Sequence, residues 1–195
     1  TSTAAIGGPG RKRTGLEGRA AACRIARMCY SAKVKQKLRD LERQFGARPD
    51  YRQIAELFLR RLTDTSVRIG RGFEANFEEP RNEDERQIQG LIARYRTQMA
   101  ETWERELFAQ RKRLADAERK LKEKETKAAR ESQRIATNKL AVYAGRLADL
   151  KRSDTRPDDS RIYPMHYAPI VIDEGGEKKI ILARYHCRGE IGRAH

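Results

Sequence analysis

Residues 83–152 run for seventy positions without a proline and with only two glycines, Gly90 and Gly145. Proline breaks a helix interior and glycine weakens it, so their scarcity over this length favours very long helices. Apolar positions Ile88, Ile92, Tyr95, Met99, Trp103, Leu107, Leu114, Ala117 and Leu121 follow, for the most part, the alternating three- and four-residue spacing of a coiled-coil seam. A polar run at residues 122–127 interrupts the pattern, and Ala136, Leu140, Tyr143, Leu147 and Leu150 resume it. The stretch therefore reads as an antiparallel helical hairpin over 83–152. At a rise of about 1.5 Å per residue its arms reach roughly 60 Å and 40 Å, so it should project from whatever core it belongs to.

The flanks have a different character. Residues 1–27 hold five glycines and no hydrophobic period, and are expected to be a disordered extension that is not native, with translation starting at Met28. Val34, Leu38, Leu41 and Phe45, then Ile54, Leu57, Phe58 and Leu62, recur at helical spacing; they predict two helices over 34–45 and 51–62, separated at Gly46 and Pro49. Residues 63–82, punctuated by Gly70, Gly72 and Pro80, read as a loop. After a boundary at residues 154–159 the runs YPMHYAPIVID and KIILARYHC flank Glu174-Gly175-Gly176, which predicts a β-hairpin within 162–188. Two strands alone are unstable in water. The expected fold class is α+β: N-terminal helices, the long hairpin and the first strands of an incomplete mixed β core, with residues 28–195 forming the N-terminal part of a truncated domain.

With 43 Lys+Arg against 28 Asp+Glu among 195 residues, the formal net charge is +15. The surplus is broad: +5 over residues 1–28, +4 over 29–81, +6 over 82–152 and zero over 153–195. Such a surface favours a polyanion through counterion release. The longest apolar runs span only a few residues, where a bilayer helix needs about 20, so a membrane protein is not expected. Three cysteines (Cys23, Cys29, Cys187) form neither a disulfide framework nor, with His166, His186 and His195, any CxxC or HxxxH metal spacing. No metal and no cofactor are expected, and the compartment is read as reducing and cytoplasmic. A Cys/His hydrolase would need these side chains to meet in space, which their spacing does not show.

Cys29 stands apart because of its position. Removal of Met28 would make it the first residue, with an α-amine of pKa about 7.7–8.0 beside a thiol. Such a pair condenses with an aldehyde: the amine forms a Schiff base with loss of water, and the thiol adds to the imine carbon, closing a thiazolidine ring. An internal cysteine lacks the amine.

The runs MCYSA (28–32), FAQRKRLADAE (108–118), SQRIATNK (132–139), DSRIYPMHYAPIVI (159–172) and ARYHCR (183–188) together resemble the SOS response-associated peptidase family, the abasic-site processing proteins, in the bacterial branch with a long helical insertion. The resemblance extends in order over about 160 residues. It implies a monomeric DNA-damage protein, nucleoid-associated when bound, that captures abasic sites in single-stranded DNA as a covalent thiazolidine through Cys29, with an autopeptidase activity that frees this residue. It also implies DNA contacts at Tyr167, Ala168 and Pro169 and at Arg184 and Arg188. Tyr30 and Ser31 replace the Gly-Arg that follows this cysteine in many members. The family's catalytic Glu and His belong downstream of Arg188, so this stretch alone is expected to be inactive. The alternative is a non-enzymatic basic coiled-coil module that binds nucleic acid or partner helices through residues 83–152.

Overall fold

The computed structural model describes residues 32–34, 37–154 and 156–185. The extension 1–27, Cys29 and Arg188 lie outside them. A short strand, β1 (Ala32–Lys33), leads to helix α1 (Leu38–Phe45), strand β2 (Arg48–Pro49) and helix α2 (Tyr51–Arg61). Strand β3 (Arg68–Ile69), the single turn α3 (Arg71–Glu74) and a 3-10 turn (Ala75–Phe77) follow. Then come the long helices α4 (Glu83–Glu123) and α5 (Lys127–Lys151). A second 3-10 turn (Pro157–Ser160) precedes β4 (Arg161–Ile162), β5 (His166–Glu174) and β6 (Glu177–Arg184). The fold is α+β with a long helical hairpin.

Local chemistry sets the helix limits. Gly46 ends α1 in the left-handed region at φ 63°, where a Cβ would be strained. Asp50 caps α2 by accepting from the Gln53 N–H, and Asn82 caps α4 by accepting from Glu85. The first turn of α4 carries Glu83, Asp84 and Glu85 and its last turn Lys120 and Lys122, so both ends complement the helix dipole. Helix α1 begins four residues later than its apolar spacing implied, because Val34 donates to the Ser160 carbonyl and prolongs the β1 segment.

The hairpin of β5 and β6 sits at the centre of a four-stranded sheet ordered β2-β6-β5-β3, with both outer strands parallel to their neighbours. β1 pairs with β4 in a separate ribbon. The expected hairpin limits of 162–188 are corrected here: Ile162 belongs to β4, and the hairpin starts at His166. Beyond β2, the edge of β6 is closed by a side chain. Gln53 donates to the Leu182 carbonyl at 2.9 Å and accepts from the Leu182 N–H at 3.0 Å, so its amide replaces a strand residue.

One sheet face, with Tyr167, Ile180 and Leu182, packs on a core formed by Leu38, Ile54, Phe58, Phe73, Phe77, Ile88 and others. Three phenylalanines meet within it: Phe58 and Phe77 edge to face at 5.9 Å, Phe73 and Phe77 at 5.6 Å. Phe73 and Phe77 come from the stretch 63–82 read as a loop, and that reading is corrected. Its short elements bury Val67, Ile69, Phe73 and Phe77 by tertiary contact, in segments too brief to show a period.

Helix α4 enters this core through Ile88 and Ile92. Its N-terminus is bolted down by Glu85, whose buried carboxylate accepts from the Tyr51 hydroxyl at 2.7 Å and the Arg81 guanidinium at 2.6 Å. Burial and the Glu85 bond push the Tyr51 phenol up to about 12. Burial would raise the carboxyl of Glu85, but its bonds from Arg81 and Tyr51 outweigh that and hold it below the ordinary range. Roughly 40 Å of α4 then stands clear of the core as an arm backed only by α5. Two helices cannot enclose a seam, so Leu107, Leu114, Leu121, Leu140 and Leu147 are only half-buried.

Among the arm's buried residues are Ala117, Ala129, Ala136 and Gln110. Gln110 fills the gap between Leu107 and Leu114 in the seam, and its Oε1 is buried without a hydrogen-bond partner. An unsatisfied buried acceptor costs about 1–3 kcal/mol. Gln110→Leu is therefore expected to stabilise the protein by about 1 kcal/mol, read as a higher urea midpoint with an unchanged slope.

Candidate nucleic-acid interface

The β1–β4 ribbon joins segments 128 to 130 positions apart: Ala32 pairs with Ile162 and Lys33 with Arg161. The chain three residues after Cys29 is thereby fastened beside the run that continues through Tyr163 and His166. Met165 lies between them at φ 72°, a left-handed conformation that costs a non-glycine residue about 1–2 kcal/mol. Two main-chain bonds hold it there, Met165 N–H to the Tyr185 carbonyl at 2.7 Å and His166 N–H to Tyr163 at 3.0 Å.

That turn directs His166 inward. Its ring meets Tyr163 edge to face at 5.4 Å, and its Nδ1 is buried without a partner. Burial, then the positive charges of Arg68 and Arg61, hold the imidazole below the ordinary histidine range. The unfolded chain, with an ordinary histidine near 6.5, takes up the proton first. The His166 contribution to stability is thus complete above about pH 6.5 and is lost as pH falls through the window between that value and the lower folded pKa. Thermal midpoints at pH 7.5 and 5.5 are expected to differ less in His166→Phe than in the parent.

Of the residues implicated by family resemblance, the structure brings four together. Tyr167, Ala168 and Pro169 lie consecutively on β5, and Arg184 on β6 faces Tyr167 across the ladder. The Arg184 guanidinium lies 5.3 Å from the Tyr167 ring centroid and donates to its hydroxyl at 3.2 Å. The three β5 side chains are buried, while Arg184 is exposed. Arg184 is thus the member of this group that reaches the surface. Leu182 turns its N–H and C=O to Gln53, away from β5, so its partner Pro169 turns its own main-chain groups away from β6, toward the β3 side. The opposite sheet face is apolar through Ala168, Ile170, Ile172, Ile181 and Ala183, and Ile170 is exposed.

Charge was only partly legible by segment. Within the hairpin the +6 surplus falls in its distal half, since residues 111–139 carry eleven basic and five acidic side chains. At the arm's root an ion network escaped sequence reasoning, because its members come from three elements. Glu74 of α3 accepts from Arg61 of α2 at 2.5 Å and from Arg96 of α4 at 2.8 Å, and Arg61 lies 3.8 Å over the Tyr95 ring. Arg71 joins the root to the end of α5 by donating to the carbonyls of Asp149 and Arg152, where the helix dipole is negative.

Among the described residues, no group of three His, Cys, Asp or Glu side chains is arranged to hold a metal ion, and no helix is long and apolar enough to cross a membrane. No protein-family model matches the chain, and no curated protein or solved structure matches it.

Proposed function

We propose that this protein processes abasic sites in single-stranded DNA, with Cys29 as the attacking residue and the β4–β5 segment as part of the DNA-binding surface. The observation that carries the reading is the β1–β4 pairing. It brings the chain just after Cys29 against the run 159–172, the stretch in which the family resemblance is most specific. The half-covered apolar face of the sheet is suited to packing against the further strands of the family's core. The basic surplus suits a phosphate backbone.

The chemistry follows from Cys29 as a first residue. Its amine attacks the ring-opened sugar aldehyde, water leaves, and the thiol sulfur adds to the imine carbon while its proton passes to the nitrogen. The product is a thiazolidine that blocks the lesion. The full-length protein beginning at Cys29 should give a protein–DNA band that survives denaturing electrophoresis. With residues 1–28 still attached, no such band should form, because the peptide bond from Met28 removes the nucleophilic amine. Cys29→Ser keeps the amine but loses the readily ionised thiol, so only a reversible adduct, revealed by reductive trapping, is expected. The non-enzymatic alternative draws its support from the basic distal arm, and predicts salt-sensitive binding with no covalent band in any form.

A further inference from the structure

The cleft where the arm leaves the body is not used by the Cys29 chemistry. It has a volume of about 470 Å³ and is lined by Arg61, Arg71, Tyr95, Arg96, Trp103 and Arg146, among others. Four guanidinium groups and two aromatic rings thus share one concavity.

Its carboxylates do not balance that charge. Glu74 is engaged by both Arg61 and Arg96, and Asp149 pairs with Arg152 and Arg156. Arg71 donates to two main-chain carbonyls, which leave its charge without a carboxylate partner and three of its five N–H donors for a ligand. Arg146 is exposed and makes no ion pair among the described residues; its guanidinium lies 5.9 Å from the Trp103 centroid and 5.8 Å from that of Tyr143. Arg61 is held in the cleft wall by Glu74 and the Ile69 carbonyl. Its side chain is only 9% exposed, yet its Nε is buried without a hydrogen-bond partner.

Unbalanced guanidinium charge beside π faces is complementary to a ligand that is flat, apolar on its faces and anionic at its edge. A nucleotide has this form: the base stacks on a ring or guanidinium plane, and the phosphate meets the arginines. An acidic peptide would meet the charge but leave the rings without a stacking partner. We propose that this cleft holds a nucleotide of single-stranded nucleic acid, its base against Trp103 and Arg146 and its phosphate toward Arg71 and Arg146. An undamaged strand suffices, so this site stands apart from the aldehyde chemistry of Cys29.

Trp103 is the chain's one tryptophan and so reports on the cleft directly. Titration with a short undamaged oligothymidylate is expected to quench its fluorescence in step with the anisotropy rise of the labelled strand. Arg146→Glu, with folding checked by far-UV circular dichroism, should weaken that anisotropy-detected binding about tenfold or more, within the range known for loss of a stacked base. Trp103→Phe, which keeps a ring, should weaken it less. The proposal is overturned if the strand fails to bind or binds without changing Trp103 emission, or if Arg146→Glu folds and binds as the parent does. It is also overturned if thymidine monophosphate alone quenches as strongly as the strand, or if a polyglutamate peptide quenches where the strand does not. Absence of an abasic cross-link would leave this titration unaffected, so the two readings fail separately.

Discussion

Phe73→Ala is expected to cost about 3–5 kcal/mol of stability, a large share of the roughly 5–15 kcal/mol that a domain commonly has. The ring is fully buried and touches the aromatic cluster on two sides, facing Phe58 at 6.4 Å and Phe77 at 5.6 Å. Its removal leaves a cavity beside Phe58 and Phe77, in a core whose elements are tied by the Glu85 and Glu74 bonds and do not readily collapse into it. Chemical denaturation should show a much lower midpoint with an unchanged slope. Phe45→Ala, on an exposed ring of α1, should shift the midpoint by no more than about 0.5 kcal/mol. A small effect at Phe73 would return residues 63–82 to the status of a surface loop.

Glu74→Ala should be comparably severe, at about 3–5 kcal/mol, for an electrostatic reason. Arg61 is nearly enclosed, and Glu74 is the carboxylate that neutralises it. Alanine leaves that guanidinium buried beside Arg96 without a counter-charge. Glu74→Gln keeps an acceptor and should cost less than alanine. The double variant Arg61→Met with Glu74→Leu removes both charges together and should recover much of the loss. This pattern across the three variants separates an ion pair from simple packing. Equal destabilisation in all three would point to volume alone.

The arm was legible because its signal repeats. A seam sampled every three or four residues over many turns survives individual exceptions, and it located the helical hairpin correctly. Gln110 shows the cost of counting only apolar types, since it occupies the seam position between Leu107 and Leu114 yet is polar. Strands β2 and β3 could not be read at all: two residues carry no alternation, and Arg48-Pro49 and Arg68-Ile69 are strands only because β6 and β5 lie beside them. Phe73 and Phe77 were visible as large apolar residues, but Gly70 and Gly72 outweighed them in a local reading. The structure shows Gly70 as the N-cap of α3. Of the candidate site, the juxtaposition of Tyr167 with Arg184 follows from the hairpin register and was within reach of the sequence. The Arg61–Glu74–Arg96 network was not, because it depends on how three separately predicted segments pack. Nor was the burial of Ala168 and Pro169, which withholds both residues from the surface and leaves Arg184 exposed beside them.

Peptide mapping of the cross-link tests the proposed role of Cys29 most directly. Full-length protein beginning at Cys29 would be reacted with a single-stranded oligonucleotide carrying one abasic site, digested with nuclease and protease, and examined by mass spectrometry. The predicted product is the peptide beginning at Cys29 bearing the sugar remnant, with a net loss of one water, because ring closure condenses one amine and one thiol with one aldehyde. An adduct on an internal lysine, or on protein that still carries residues 1–28 uncleaved, would contradict the thiazolidine mechanism.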